Sequence, residues 1–379
     1  MMVSRENQFS IPMADSRHTN RREFLQGEAA RKALENFAEG YKHQLPQREL
    51  PATTVPPSSY LLQLTRDAMA VQFQVHLNAG EFDEGPEAAL AALDLLEPLE
   101  AQMTVYRETS EVCQINRLAY AEPFGVEPRL FRVFALAQTI SQETAGCYDM
   151  TSGPLSKLWG FYRRQGRMPS PAEIAATLPS VGYEKITLDA SASTIRFAVP
   201  NMELNLGGIG KGYALDCLSQ HLRLQDVESF LIHGGQSSVL AHGSRLGASQ
   251  PGWSVGLAHP LRPETRLAEF QLVNQALGTS GSGTQFFHHQ GKKYGHLLDP
   301  RTGMPAEGVL SCTVIARTAA EADALSTAFY VGGLALARDY CEQHPEVAAL
   351  LVTPGTKTGT LELHPVNLAE DAWRNLLAS

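Results

Sequence analysis

His296 stands just before an Asp299-Pro300-Arg301-Thr302-Gly303 turn and follows the hydroxyl-bearing segment Gly278-Thr279-Ser280-Gly281. An imidazole with an unperturbed pKa of about 6.5 accepts a proton at neutral pH. A lone histidine is more often structural. Here a carboxylate that could orient it and nearby hydroxyls make it a candidate general base for activating a hydroxyl. Asp323 and Thr327, in Ala322-Asp323-Ala324-Leu325-Ser326-Thr327-Ala328, are four apart and share one face of a helix. A carboxylate and a hydroxyl among apolar neighbours suit Mg²⁺, which takes few protein oxygens and completes its shell with phosphates and water. A capped, solvated helix start is the plain alternative.

Two further segments carry glycine and polar groups. Asn205-Leu206-Gly207-Gly208-Ile209-Gly210-Lys211-Gly212-Tyr213 follows a strand pattern and opens a helix pattern. Its glycines let backbone approach a ligand, and a lysine at a helix start favours an anion. The Walker pattern fails because Gly212 follows Lys211. A phosphate-binding loop accounts for the lysine better than a structural turn does. Cys147-Tyr148-Asp149-Met150-Thr151-Ser152-Gly153-Pro154-Leu155 offers a carboxylate and turn amides, with Trp159 and Phe161 behind it to bound an aromatic ligand. Alone, it reads as an ordinary turn or helix cap.

These segments need elements to hold them. Met69–Leu77 alternates as a strand, and Glu87–Met103 and Leu130–Thr144 carry helical apolar spacing. Glu184–Leu206 reads as strands around Ala190-Ser191, and Gly212–Leu224 as a helix. Short strands are expected at Phe230–His233, Ser237–Ala241, Trp253–Leu257, Ala268–Val273 and Ser311–Ala316. Helices follow at Ala319–Gly332 and Ala335–Gln343, then strands at Ala348–Val352 and Gly359–Leu363. Helices and strands mix without a βαβ repeat, so the class expected is α+β.

The 379-residue chain can bury a sizeable core. Its net charge of −9 and lack of basic runs argue against a nucleic-acid partner. No uninterrupted apolar run reaches the roughly 18 residues of a transmembrane helix. Five scattered cysteines without CxxC spacing argue against a zinc site or a disulfide framework. Residues 1–58 read as a polar leader and linker, and 59–379 as the folded domain. Arg21-Arg22 resembles a twin-arginine export start, but Gln26–Gly40 is charged where an apolar segment should follow. The sequence thus favours a cytoplasmic location over export.

In their order, these segments resemble the ApbE family of FAD:protein FMN transferases, from about Met69 to Leu363. The family pattern is met by Thr104-Val105-Tyr106, Ser110-Glu111 and Asn116, the Asp149…Gly153-Pro154-Leu155…Trp159-Gly160 run, the Asn205–Tyr213 loop, and Gly234-Gly235-Gln236. Thr279-Ser280-Gly281, His296…Asp299-Pro300…Thr302-Gly303 and Ala322-Asp323-Ala324…Thr327 complete it. Single motifs are weak; the ordered set is specific. The resemblance implies mixed sheets and helices in two closely packed lobes, T-fold-like, with an FAD cleft between them. It implies that Met69, Tyr106, Cys147, Tyr148, Asp149, Asn205, Lys211 and Leu297 line the flavin or its diphosphate. It implies Mg²⁺ at the Gly208 carbonyl, Asp323 and Thr327, with Ser326 as an extra ligand, and His296 as catalytic base. The reaction implied moves FMN from FAD onto a Thr or Ser of an acceptor flavoprotein and releases AMP; a subunit of a membrane redox complex is one such acceptor. Three positions depart from the pattern: Ala70-Val71 for Gly-Thr, Asn205 for Asp, and Gln236 for Asn. Two other functions use the same site: a Mg²⁺-dependent FAD pyrophosphatase and a non-catalytic FAD-binding protein.

Overall fold

Alternating apolar residues and a two-residue turn open the described chain as a hairpin, β1 (Leu61–Ala68) and β2 (Val71–Asn78). The computed structural model describes residues 60–377 apart from positions 282, 284 and 358. The leader and its Arg21-Arg22 pair lie outside these described residues. Next come α1 (Gly85–Asp94), α2 (Leu96–Met103), α3 (Glu111–Leu118), β3 (Phe124–Gly125), α4 (Pro128–Glu143), α5 (Gly153–Leu158) and α6 (Pro171–Thr177). β4 (Ile186–Asp189) and β5 (Thr194–Phe197) precede α7 (Gly210–Leu224), β6 (Phe230–Gly234), β7 (Ser238–His242), β8 (Trp253–His259) and β9 (Arg262–Leu272). The chain closes with β10 (Gln275–Gly281), β11 (Phe286–His289), β12 (Lys292–Gly295), β13 (Ser311–Ala316), α8 (Ala319–Gln343), β14 (Ala348–Pro354), β15 (Leu361–Val366) and β16 (Trp373–Asn375).

Eight strands form one open antiparallel sheet in the order β1-β2-β6-β7-β10-β13-β14-β15. Side chains alternate between its faces. Leu240, Ala276, Val314 and Leu351 face the helices α7 and α8. Val239, Ala241, Leu277, Ile315 and Val352 face the opposite way, against the small β16-β9-β8 sheet. The central strands are therefore covered on both sides, which is why β13 reads as an unbroken buried run. A third apolar cluster, around Leu155, Trp159, Phe161, Ile174 and Leu298, joins α5 and α6 to the β11–β12 hairpin. The class is α+β, as expected.

Some boundaries differ from the sequence expectation. The first strand expected at Met69 starts at Val71, because Met69 (φ 50°) and Ala70 (φ 61°) make a left-handed two-residue turn with Ala68 opposite Val71. The helix expected over Glu87–Met103 is two helices meeting at Leu95. The break expected between Gly332 and Ala335 is a kink inside α8 at Gly333, where φ is 76°.

Candidate active site

Glycines bring α7, α8 and β10 close enough to build a site. A Cβ on Gly212 would overlap the Ala319 carbonyl, so only glycine lets the start of α7 lie on the start of α8. Asp216, one turn along α7, accepts bonds from the Ala319 and Ala320 amides at 2.8 and 2.9 Å. It satisfies two otherwise orphaned donors of α8. Burial pushes its carboxyl up to about 7 against the pull of those amides. Gly278 plays the same part on β10, where an added Cβ would meet the Ala322 and Asp323 backbone. Ser280 lies two residues along on the same face, and Ser238 pairs directly across from Gly278.

This puts a group of oxygen donors under the first turns of α8. Asp323, 5 % exposed, accepts from Ser238 Oγ at 2.7 Å and from the Gly212 amide at 2.8 Å. Lys211 Nζ is 4.0 Å from its carboxylate. Burial holds the Asp323 carboxyl above the usual range, opposed by Lys211 and these bonds. Ser280 Oγ is 2.9 Å from Ser326 Oγ and 3.1 Å from Thr327 Oγ1. Gly208 lies against both Thr327 Oγ1 and the Tyr148 ring.

Among the described residues, no group of three or more His, Cys, Asp or Glu could hold a metal. One carboxylate with neighbouring hydroxyl oxygens is a donor set that fits Mg²⁺ beside a phosphate ligand. Tyr148 stands in the wall of the same cavity as Asp323. It is 3 % exposed, and its hydroxyl has no hydrogen-bond partner, although buried polar atoms ordinarily find one. Its ring lines that wall beside Gly208, while the hydroxyl itself is enclosed by protein.

The glycine loop is held from behind. Asn116 on α3 both donates to the Leu204 carbonyl (3.1 Å) and accepts from its amide (2.7 Å). Ser110 caps α3 by accepting from the Cys113 amide and ties it to the Thr104 carbonyl. Asn205 accepts from the Gly207 amide at 2.9 Å, closing the turn itself. Asp149 lines the cavity, but its carboxylate is taken up by Thr151 and the Tyr183 amide. The residue thus shapes the turn and offers no free charge.

His296 is oriented by a group other than the one expected. Its Nδ1 meets the Gln285 carbonyl at 3.1 Å. The Asp299 carboxylate instead accepts from the Arg301 amide and guanidinium. A carbonyl only accepts, so Nδ1 carries the proton and neutral His296 presents a bare Nε2. That nitrogen has no hydrogen-bond partner among the described residues. Burial lowers the His296 pKa, the Gln285 bond opposes this, and the Lys211 charge adds to the lowering. Trp159, expected to flank a ligand, is fully buried and donates to the Gly303 carbonyl at 2.8 Å, pinning the turn after His296. Phe161 does reach the cavity.

One cavity of about 730 Å³ gathers the site. Met69, Tyr106, Cys147, Tyr148, Asp149, Asn205, Gly208, Lys211, His296, Leu297, Asp323 and Thr327 all line it. Tyr106, 67 % exposed, stands at the mouth with its ring 4.8 Å from that of Tyr162. Ser238, Gln285 and Asp216 went unnoticed in the sequence. A serine opening a short strand, a glutamine in a loop and an aspartate in a helix carry no motif. Only the folded neighbours give them their roles.

Fold and site together define an α+β protein whose cavity joins a lysine, a buried carboxylate, hydroxyls and aromatic rings. Comparison with known proteins places it more closely. A family model described as the ApbE family matches residues 69–351, and the chain belongs to that family. A relative from Klebsiella pneumoniae (strain 342), named FAD:protein FMN transferase, is 31% identical over 272 residues, covering 70% of this chain and 83% of the relative. One of the same name from Haemophilus influenzae is 28% identical over 302 residues, covering 77% and 86%. The crystal structure of an ApbE protein from Thermotoga maritima superposes with a TM-score of 0.71 at 28% identity, over 80% of this chain and 96% of that one.

Proposed function

We propose that this protein takes the FMN half of FAD and joins it to a Thr or Ser hydroxyl of a target protein in a Mg²⁺-dependent reaction that releases AMP. Flavin transfer from FAD to a protein follows from family membership and the shared name of the relatives. The metal, the acceptor hydroxyl and the residue roles are the finer part of the proposal.

The observation that carries it is the convergence of a bare His296 Nε2, Lys211 and the Asp323–Thr327 oxygen cluster on one cavity. Phosphoryl transfer needs positioning and charge neutralisation more than covalent help from the protein. Lys211, at the start of α7, would neutralise charge on the diphosphate. Asp323, Thr327, Ser326 and the Gly208 carbonyl would hold Mg²⁺, which neutralises charge on the phosphoryl oxygens when bound. His296 Nε2 takes the proton of the acceptor hydroxyl. The freed oxygen bonds to the FMN phosphorus, the diphosphate P–O bond breaks, and AMP leaves with the electron pair. Met69, Tyr106, Leu297 and the Tyr148 ring border the flavin.

The test incubates the protein with FAD, Mg²⁺ and an acceptor carrying a Thr or Ser target. In-gel flavin fluorescence on the acceptor, with stoichiometric AMP, is the expected result. Free FMN and AMP without labelled acceptor would show a pyrophosphatase. FAD bound without AMP release at any Mg²⁺ concentration would show a passive binder.

A further inference from the structure

The mouth of the cavity carries positive charge that the transfer step does not use. Arg163 and Arg164 are exposed and line its rim. Their neighbours Lys157 and Arg167 are held by Glu203 and Glu173. No carboxylate among the described residues pairs with Arg163 or Arg164. The turn that presents them is fixed: Gly160 (φ 74°) and Arg164 (φ 54°) are left-handed. Gln165 N donates to the Gly160 carbonyl at 3.1 Å and Arg167 N to the Trp159 carbonyl at 2.9 Å. Left-handed backbone at an arginine persists only where its surroundings hold it.

A second basic element is braced against this turn. Gln285 Nε2 donates to the Phe161 carbonyl at 3.0 Å, and the Phe287 ring lies against Gly166 and 5.8 Å from that of Phe161. The β11–β12 hairpin rooted there carries His288, His289, Lys292 and Lys293. Lys292 pairs with Glu307, while Lys293 lies over the Phe286 ring with no carboxylate partner among the described residues. This basic rim stands on a chain whose net charge is −9. A nucleic acid would be repelled by that overall charge.

We infer that Arg163 and Arg164 form a docking rim for acidic residues flanking the hydroxyl of the acceptor protein. The inference rests on the reading that a protein hydroxyl enters this cavity. Paired guanidiniums bind carboxylates bidentately, and rim charges of this kind select and steer a partner. Both arginines are exposed, whereas Lys211 is half-buried and Asp323 buried.

Three fluorescent Thr peptides, identical except for Glu, Gln or Lys beside the Thr, test the rim by anisotropy on the full chain. The Glu peptide should bind most tightly, on the order of tenfold over the Gln peptide, and lose that lead at high salt. The preference should vanish in R163E/R164E, weaken in R163Q/R164Q and survive in R163K/R164K, with melting temperature and FAD affinity unchanged. Equal binding of the three peptides, or a preference that outlasts charge reversal, overturns the inference. A fall in FAD affinity in R163Q/R164Q also overturns it, by assigning the arginines to the donor. FMN transfer to the same peptides is read in parallel by gel fluorescence. Glu-selective binding without transfer would uphold the rim and reject the transferase reading.

Discussion

At His296 a single carbonyl decides which nitrogen is free. The Gln285 oxygen holds the proton on Nδ1, so a general base acts through Nε2. We predict that His296→Asn keeps FAD affinity and loses transfer by roughly 10²–10⁴-fold. Because burial and Lys211 lower the His296 pKa, the wild-type rate should fall only as pH drops below the ordinary value of about 6.5. That acid limb should be missing in the variant; a pH–rate profile that keeps it would reject His296 as the base. Asp323 gives a second prediction. Asp323→Asn retains the shape but not the charge, so the Mg²⁺ concentration for half activity should rise at least tenfold. An unchanged Mg²⁺ titration would remove Asp323 from the metal. The sequence disclosed these residue types and spacings. It did not disclose that Asp149 bonds inward or that Asp299 turns to Arg301, since both depend on groups brought close by folding.

Turns and close crossings set the geometry at the next scale. Met69 and Ala70 are both left-handed, at a cost of about 1–2 kcal/mol per non-glycine residue. Ala70→Gly should therefore stabilise by about 1 kcal/mol, net of the extra freedom glycine gives the unfolded chain. Urea unfolding would show it as a higher midpoint; a lower one would mean the turn is unstrained. Gly212→Ala pits two effects against each other. Helix propensity alone favours alanine by up to about 1 kcal/mol. The overlap with the Ala319 carbonyl opposes it by about 1–3 kcal/mol. We predict net destabilisation, together with weaker FAD binding, because the Gly212 amide and Lys211 move as one with Asp323. Stabilisation with intact FAD binding would show the crossing to be loose. Most helices and apolar strands were legible from their periodicity. β10, β11 and β12 were not, because glycine, histidine and lysine blur the alternation, and their hold comes from partners across the sheet and from Phe161 and Trp159.

For the whole molecule, the eight-stranded sheet belongs to two cores at once. Its central strands give alternate residues to the helical side and to the β8–β9 side. Neither core can be lost without exposing the other. Trp253 lies in the β8–β9 core and Trp159 in the third cluster, beside the site. We predict coincident denaturation curves from variants that keep only one of these tryptophans. Separated midpoints would show the two clusters melting independently. No helix among the described residues is long and apolar enough to cross a membrane. The irregular order of helices and strands made the α+β class legible. Strand order was not, because β2 pairs with β6 across a long stretch of chain, and no local pattern encodes so distant a partner.

That same pairing has a consequence in time. During synthesis the β1–β2 hairpin emerges before the rest of its sheet, and its neighbour β6 starts only at Phe230. At translation rates of about 5–20 residues per second, β2 waits on the order of ten seconds or more with one edge unpaired. Phe73, Val75 and Leu77, each buried in the finished fold, line one face of that waiting strand. An unpaired apolar edge invites pairing with another chain. The nascent protein thus has a vulnerable interval, and it ends only when the second half of the sheet arrives.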